Sequence, residues 1–263
     1  MGEAEAQQHT VESAVILMAG VGSRLGSVGG AIAKPLVEIS GRPLICYTLA
    51  ALQRAGVRTL HAVMGANSES LSRELAPLIP AGMAFNIIVN TEWQKQNGVS
   101  VLAAAPHVRP PFILTMGDHL FEFGVLQALL EGSDPRQVNL AIDRKIDTIF
   151  DLDDATKVQT KGDQIAGIGK QLAHYDAIDT GLFLCSGEIF DYLKAAQREG
   201  DCSLSDGVRA MAAAGKVRAV DIGDAWWQDV DTPDMLARAE QESARLLLDG
   251  GCRSAQESVA CER

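Results

Sequence analysis

Over its first 145 residues the chain alternates short apolar runs with amphipathic segments of helical spacing. The runs Ser13–Ala19, Thr59–Met64, Phe85–Val89, Pro111–Met116 and Val138–Ile142 read as strands. Between them, Pro43–Ala55, Ser68–Leu78, Val99–Ala105 and Gly124–Leu130 read as helices. Parallel strands are covered on both faces and therefore look continuously apolar, as these do. Strands alternating with helices at this spacing build βαβ units. The expected fold is α/β: a Rossmann-like, three-layer, mostly parallel sheet.

The rhythm changes after Arg144. Short β-type pieces at Lys157–Thr160, Gln164–Gly169 and Ile178–Cys185 are separated by Gly, Asp and Lys. Residues 145–185 are read as a small β-rich lid or substrate-binding region within one domain spanning 13–248. Helical pattern returns at Glu188–Gln197 and Leu204–Ala213, a strand follows at Val217–Ile222, then a helix at Pro233–Leu248. Residues 1–12 and 249–263 lack apolar periodicity and are expected to be flexible ends.

Composition narrows the class. The chain has 23 Lys+Arg against 34 Asp+Glu, a formal charge of −11, which argues against coating nucleic acid or an anionic membrane. Hydrophobic residues at 47% and charged residues at 22% are those of a globular protein. No apolar run approaches the ~18 residues of a membrane span. The polar start MGEAEAQQHTVE resembles neither a signal nor a transit peptide. Five scattered cysteines (46, 185, 202, 252 and 261) form no CxxC, and Cys46 and Cys185 sit in apolar runs. The reading is a reduced, cytoplasmic protein.

Three constellations carry chemistry. The first is the strand end and loop Ala19-Gly20-Val21-Gly22-Ser23-Arg24, followed by Lys34-Pro35. Glycine-rich backbone approaches phosphate closely, and Arg24 and Lys34 add fixed positive charge. A dinucleotide fingerprint is the competitor, but Gly29-Gly30 interrupts the helix it needs and Val63-Met64-Gly65 lacks the expected acid. The second is Gly117-Asp118-His119, directly after an apolar strand. The third is Trp226-Trp227-Gln228-Asp229-Val230-Asp231-Thr232-Pro233. Carboxylates from two strand ends suit Mg²⁺, which pairs one or two carboxylates with substrate phosphates. Taken singly, Asp118 suits a turn and Asp231 a helix cap. His119 has no further His at ligand spacing and is read as a supporting residue.

The ordered motifs LMAGVGSRLG, KPL, QNGVSVL, ILTMGDH, IGK, DTGLF and WQDVDTPD resemble the sugar-nucleotidyltransferase-like superfamily. Within it, the chain is most similar to cytidylyltransferase domains that act on inositol 1-phosphate, over roughly Ser13 to Ala239. The resemblance implies that CMP passes from CTP to inositol 1-phosphate, giving CDP-inositol and pyrophosphate, with Mg²⁺ as cofactor. It assigns Ala19, Gly20, Gly22, Ser23, Arg24, Lys34, Asn97 and Gly98 to the nucleotide. It assigns Asp118, Asp229 and Asp231 to metal, with Arg24, Lys34 and Asp118 as catalytic residues. Lys170, Thr180 and Gly181 fall in its acceptor-binding segments, and Asp143 and Asp179 suit polyol hydroxyls.

A phosphate monoester is largely dianionic at neutral pH, its second pKa being about 6, so it needs no general base. The partners implied are small molecules, with a separate membrane phosphotransferase to use the product, and the chain can be an oligomer. Met18 departs from the small residue usual in the loop. Phosphocholine or a sugar 1-phosphate as acceptor, UTP as donor, and a nucleotide sensor without turnover remain alternatives.

Overall fold

The computed structural model describes residues 11–20 and 33–246. Gly22, Ser23, Arg24, residues 1–10 and the tail 249–263 lie outside the described residues, as do Cys252 and Cys261. In chain order the first half comprises β1 (Ser13–Met18), β2 (Glu38–Ile39), β3 (Arg42–Pro43), α1 (Leu44–Arg54), β4 (Thr59–Met64) and α2 (Ser68–Leu75). It continues with β5 (Ala84–Val89), α3 (Asn97–Ala104), β6 (Phe112–Met116), β7 (His119–Phe121), α4 (Phe123–Gly132) and β8 (Val138–Asp143). The remainder is β9 (Lys157–Lys161), β10 (Gln164–Gly169), β11 (Ala177–Cys185), α5 (Glu188–Ala196), α6 (Leu204–Ala213), β12 (Val217–Asp221), β13 (Trp227–Asp229) and α7 (Pro233–Leu246).

Nine strands form the central sheet in the order β5-β4-β1-β6-β11-β8-β12-β10-β9. From β5 to β6 every pair is parallel, as the apolar runs predict. Beyond β6 the expectation of a mostly parallel sheet fails. β11 runs antiparallel to both β6 and β8, the β9/β10 hairpin is antiparallel, and β9 returns to pair with β11. That last pairing closes β11, β8, β12, β10 and β9 into a small barrel, so the sheet is mixed and closed at one end. A register break in β11 between Asp179 and Phe183, with Gly181 at φ 73°, supplies local bending. Residues 177–185, grouped with the lid region in the sequence, thus form a central strand.

Helices cover both faces of the sheet. Leu17, Phe112, Phe183 and Val208 belong to one apolar cluster, in which Phe112 and Phe190 stack at 5.6 Å. Ile16, Leu49, Leu126 and Leu182 belong to the opposite one. A third cluster joins Ile39, Leu44, Leu120, Trp226, Val230 and Ala239. It fastens α7 and the two-stranded ribbon β7–β13 to the domain. Each such side chain taken fully from water contributes about 1.5–3 kcal/mol. Val11 is buried and the Glu12 carbonyl accepts N–H bonds from Arg58 and Thr59, so residues 11–12 are fixed to the domain rather than part of a flexible end. Cys46, Cys185 and Cys202 are buried. Among the described residues, no helix is long and apolar enough to cross a membrane.

Candidate active site

A cleft of about 460 Å³ opens beside the ends of β1 and β6, bordered by the β7–β13 ribbon, the β11 bulge and residues 148–156. Its construction begins at Gly117. A Cβ there would stand 2.5 Å from Met18 Cγ and 3.0 Å from Pro35 Cγ, so only glycine lets β6 end this close to β1. The next residue, Asp118, emerges at the cleft. The ribbon then pairs His119 with Asp229, bringing two acid-bearing segments together from positions over a hundred residues apart.

Against the cleft wall a cation sits between carboxylates. Lys34, at the start of a 3₁₀ turn opened by Pro35, donates to Asp118 Oδ2 at 3.0 Å and also to Asp231 Oδ1. Burial would lower the Lys34 pKa, but Asp118 and Asp231 outweigh it and raise it. Burial would likewise raise that of Asp118; the His119 hydrogen bond and charge, with Lys34, hold it well below the carboxylate range. His119 Nδ1 lies 2.8 Å from Asp118 Oδ1, and the ring stacks on Trp227 at 6.2 Å. Against the effect of burial, Asp118, then Asp229 and Asp179, raise the His119 pKa. His119 therefore buttresses Asp118, the supporting role expected of it.

Two acids remain poorly compensated. Asp229 is raised by burial and by repulsion from Asp231 and Asp118, with His119 opposing. Asp179 is pushed up to about 6 by burial, though Gly181 N–H donates to it at 2.7 Å. Gly181 has a second constraint: a Cβ there would lie 2.4 Å from His119 Nε2. Among the described residues no ready-made cluster of three metal-ligating side chains occurs. Still, Asp118, Asp229 and Asp231 line one cleft, and their hard oxygens, with Asp229 short of compensating charge, fit a divalent cation.

The other expected residues divide. Ala19 and Gly20 line the cleft, as do Asn97, Asp143, Lys170, Asp179 and Gly181. Asn97 Oδ1 also accepts the Leu204 N–H, and Gly98 is required for packing, since a Cβ would lie 2.6 Å from the Cys202 carbonyl. Asp143 is buried and bonded by Trp227 Nε1 at 2.9 Å and by Lys145 at 2.8 Å, so it shapes the wall with its oxygens already engaged. Thr180 departs from the expectation: it is buried and its hydroxyl donates to the Ala141 carbonyl, away from the cleft lining. Lys170 pairs with Asp154. Sequence reasoning passed over Lys145 and Arg238, whose signals are single charges in a loop and on a helix surface.

Residues 14–200 match the MobA-like NTP transferase domain. The chain belongs to that family. It is 34% identical over 241 residues to the bifunctional IPC transferase and DIPP synthase of Thermococcus kodakarensis, covering 91% of this chain and 52% of that protein. The Aquifex aeolicus protein of the same name is 30% identical over 91% of this chain and 54% of its own length. The chain thus spans about half the length of these curated relatives. Among solved structures, the inositol-1-phosphate CTP transferase from T. maritima superimposes with a TM-score of 0.83 at 25% identity, covering 92% of this chain and 99% of that one. By family and fold the chain is of the nucleotidyltransferase type.

Proposed function

We propose that this nucleotidyltransferase moves CMP from CTP to inositol 1-phosphate, releasing pyrophosphate and forming CDP-inositol. The observation that carries it is Lys34 bonded to Asp118 and Asp231, two acids that line one cleft with Ala19 and Gly20 at the entrance to the glycine loop. The names and likeness of the relatives and of the T. maritima structure support the choice of nucleotide and acceptor.

In this reading the acceptor's phosphate oxygen attacks the α-phosphorus of CTP in line, and the bond to the pyrophosphate oxygen breaks. The acceptor oxygen is already ionised, so no side chain has to remove a proton. The obstacle is bringing two anions together, which fixed cations and positioning overcome. Lys34 leaves the carboxylates to meet the developing charge at the α-phosphate, with Arg24 assigned to the departing pyrophosphate. Asn97 and the Ala19–Gly20 backbone hold the nucleotide; Lys170 meets the acceptor phosphate; Asp179 and Gly181 border the polyol. Mg²⁺ held by Asp118 with Asp229 or Asp231 would neutralise phosphate charge and polarise the α-phosphate.

Mass-detected CDP-inositol from CTP, inositol 1-phosphate and Mg²⁺ tests the proposal. Running UTP, phosphocholine and sugar 1-phosphates beside them separates the alternative transfers. Nucleotide binding with no product from any acceptor would instead mark a sensor and overturn the assignment.

A further inference from the structure

We infer that Arg238 is a phosphate-holding residue of this cleft, taking the acceptor's phosphate together with Lys170. The inference rests on the nucleotidyl-transfer reading and adds a residue to it.

A chain of net charge −11 has to find cations for a polyanionic reaction, and most cleft cations are already matched. Lys34 is bonded to Asp118 and Asp231, Lys95 to Glu92, Lys145 to Asp143 and Lys170 to Asp154. Among the described residues lining the cleft, Arg238 is the one cation without a carboxylate partner. It is half-buried on α7, its Nη2 donates to the Thr148 carbonyl at 3.0 Å, and its guanidinium carbon lies 5.6 Å from the Phe150 ring centroid. A guanidinium carries five N–H donors in a planar fork. The carbonyl engages one of these groups, and the contact with the ring takes up no N–H by a hydrogen bond, so donors remain. A fork of this kind matches the oxygens of a phosphate.

Position follows from the same contacts. Residues 148–156 line the cleft; Arg238 bonds this segment at Thr148 and Lys170 bonds it at Asp154. One short segment therefore brings both cations to one wall. An arriving phosphate must compete with Asp154 for Lys170, whereas Arg238 offers donors with no carboxylate to displace. Two cations of this kind suit a dianionic phosphate monoester better than a neutral or singly charged acceptor.

The test uses Arg238→Gln, which keeps a neutral donor for Thr148, and Arg238→Lys, which keeps the charge. Binding of inositol 1-phosphate and, separately, of inorganic phosphate is measured calorimetrically without nucleotide; KM for acceptor and for CTP is measured in turnover. Arg238→Gln is expected to weaken both phosphate ligands and raise the acceptor KM about tenfold, the size of a lost charge-assisted hydrogen bond. Arg238→Lys should recover most of that, and the CTP KM should change less than about twofold in both, since no nucleotide contact is removed. Full acceptor binding by Arg238→Gln would mean that the side chain only fastens the 148–156 segment, and would overturn the inference. Equal losses in the two variants would do the same. If wild type forms no CDP-inositol, the transfer reading falls, while inorganic phosphate still reads Arg238: no difference between wild type and Arg238→Gln, including no binding by either, refutes it.

Discussion

Replacing Gly181 by alanine should damage stability and turnover through two separable effects. The first is conformational: at φ 73° an alanine enters the left-handed region, costing about 1–2 kcal/mol. The second is steric, because the new Cβ would stand 2.4 Å from His119 Nε2. Ordinary carbon contacts lie near 3.5 Å, so the ring must retreat by about 1 Å. A displacement of that size spoils the 2.8 Å contact between His119 and Asp118, with a further loss of up to about 1.5–3 kcal/mol for a hydrogen bond to a charged group. The two sum to about 2.5–5 kcal/mol. Gly162→Ala supplies the comparison: its φ is 64°, but a Cβ there meets nothing within 4 Å, so it bears the backbone cost alone. Urea unfolding of both variants reads the difference. With Asp118 no longer buttressed, turnover of Gly181→Ala should fall about 100-fold, the scale of a 1 Å misplacement at a reacting centre. Gly162→Ala should keep wild-type turnover. Equal stability losses in the two variants, or undiminished turnover in Gly181→Ala, would refute the reasoning.

Lys34→Ala and Asp118→Ala should each lower turnover by about 10²–10³-fold with the far-ultraviolet circular dichroism unchanged, and wild-type activity in either would place the chemistry elsewhere. Because burial raises Asp179 to about 6 from 3.8, the folded state holds a proton that the unfolded chain has released between those values. Stability from this group is therefore present at low pH and declines as pH rises through that window, by at most about 3 kcal/mol. Asp179→Asn should flatten that decline in urea melts between pH 4 and 7, and an unchanged slope would contradict the assignment. Thr180→Val should cost about 1 kcal/mol of stability for the lost bond to Ala141. It should leave the acceptor KM within about twofold, and a larger rise would return Thr180 to the acceptor site.

The strands are legible where burial on both faces leaves mainly apolar text. Ser13–Met18 and Thr59–Met64 are examples, and Leu204–Ala213 is a helix whose period and Ser203 capping box agree. Closure of the barrel was not, because the β9–β11 pairing depends on contacts between segments that carry no mutual signal in sequence. The ribbon was missed for another reason: His119–Phe121 and Trp227–Asp229 are three residues each, too short to show alternation. Yet that ribbon unites the second and third constellations, so their acids were recognisable before their meeting was. Thr180 and Gly181 show the converse. Motif position groups them together, but backbone direction sends the Thr180 hydroxyl into the sheet while Gly181 yields space to His119. Arg238 could be found only from a count of which cleft charges are already matched.

Assembly of the ribbon also sets a timetable for the nascent chain. Asp118 leaves the ribosome more than a hundred residues before Asp229 and Asp231, and domains fold as synthesis proceeds at about 5–20 residues per second. For several seconds the growing polypeptide can hold β1, β6 and their apolar cluster while lacking β13 and α7. Lys34 then has one of its two carboxylates, and the 148–156 segment has no Arg238 to fasten it. The parallel half of the sheet can therefore mature as a scaffold long before it becomes a chemical centre. Competence arrives late and at one stroke, when residues 226–239 dock their apolar side chains beside Leu120 and Leu44.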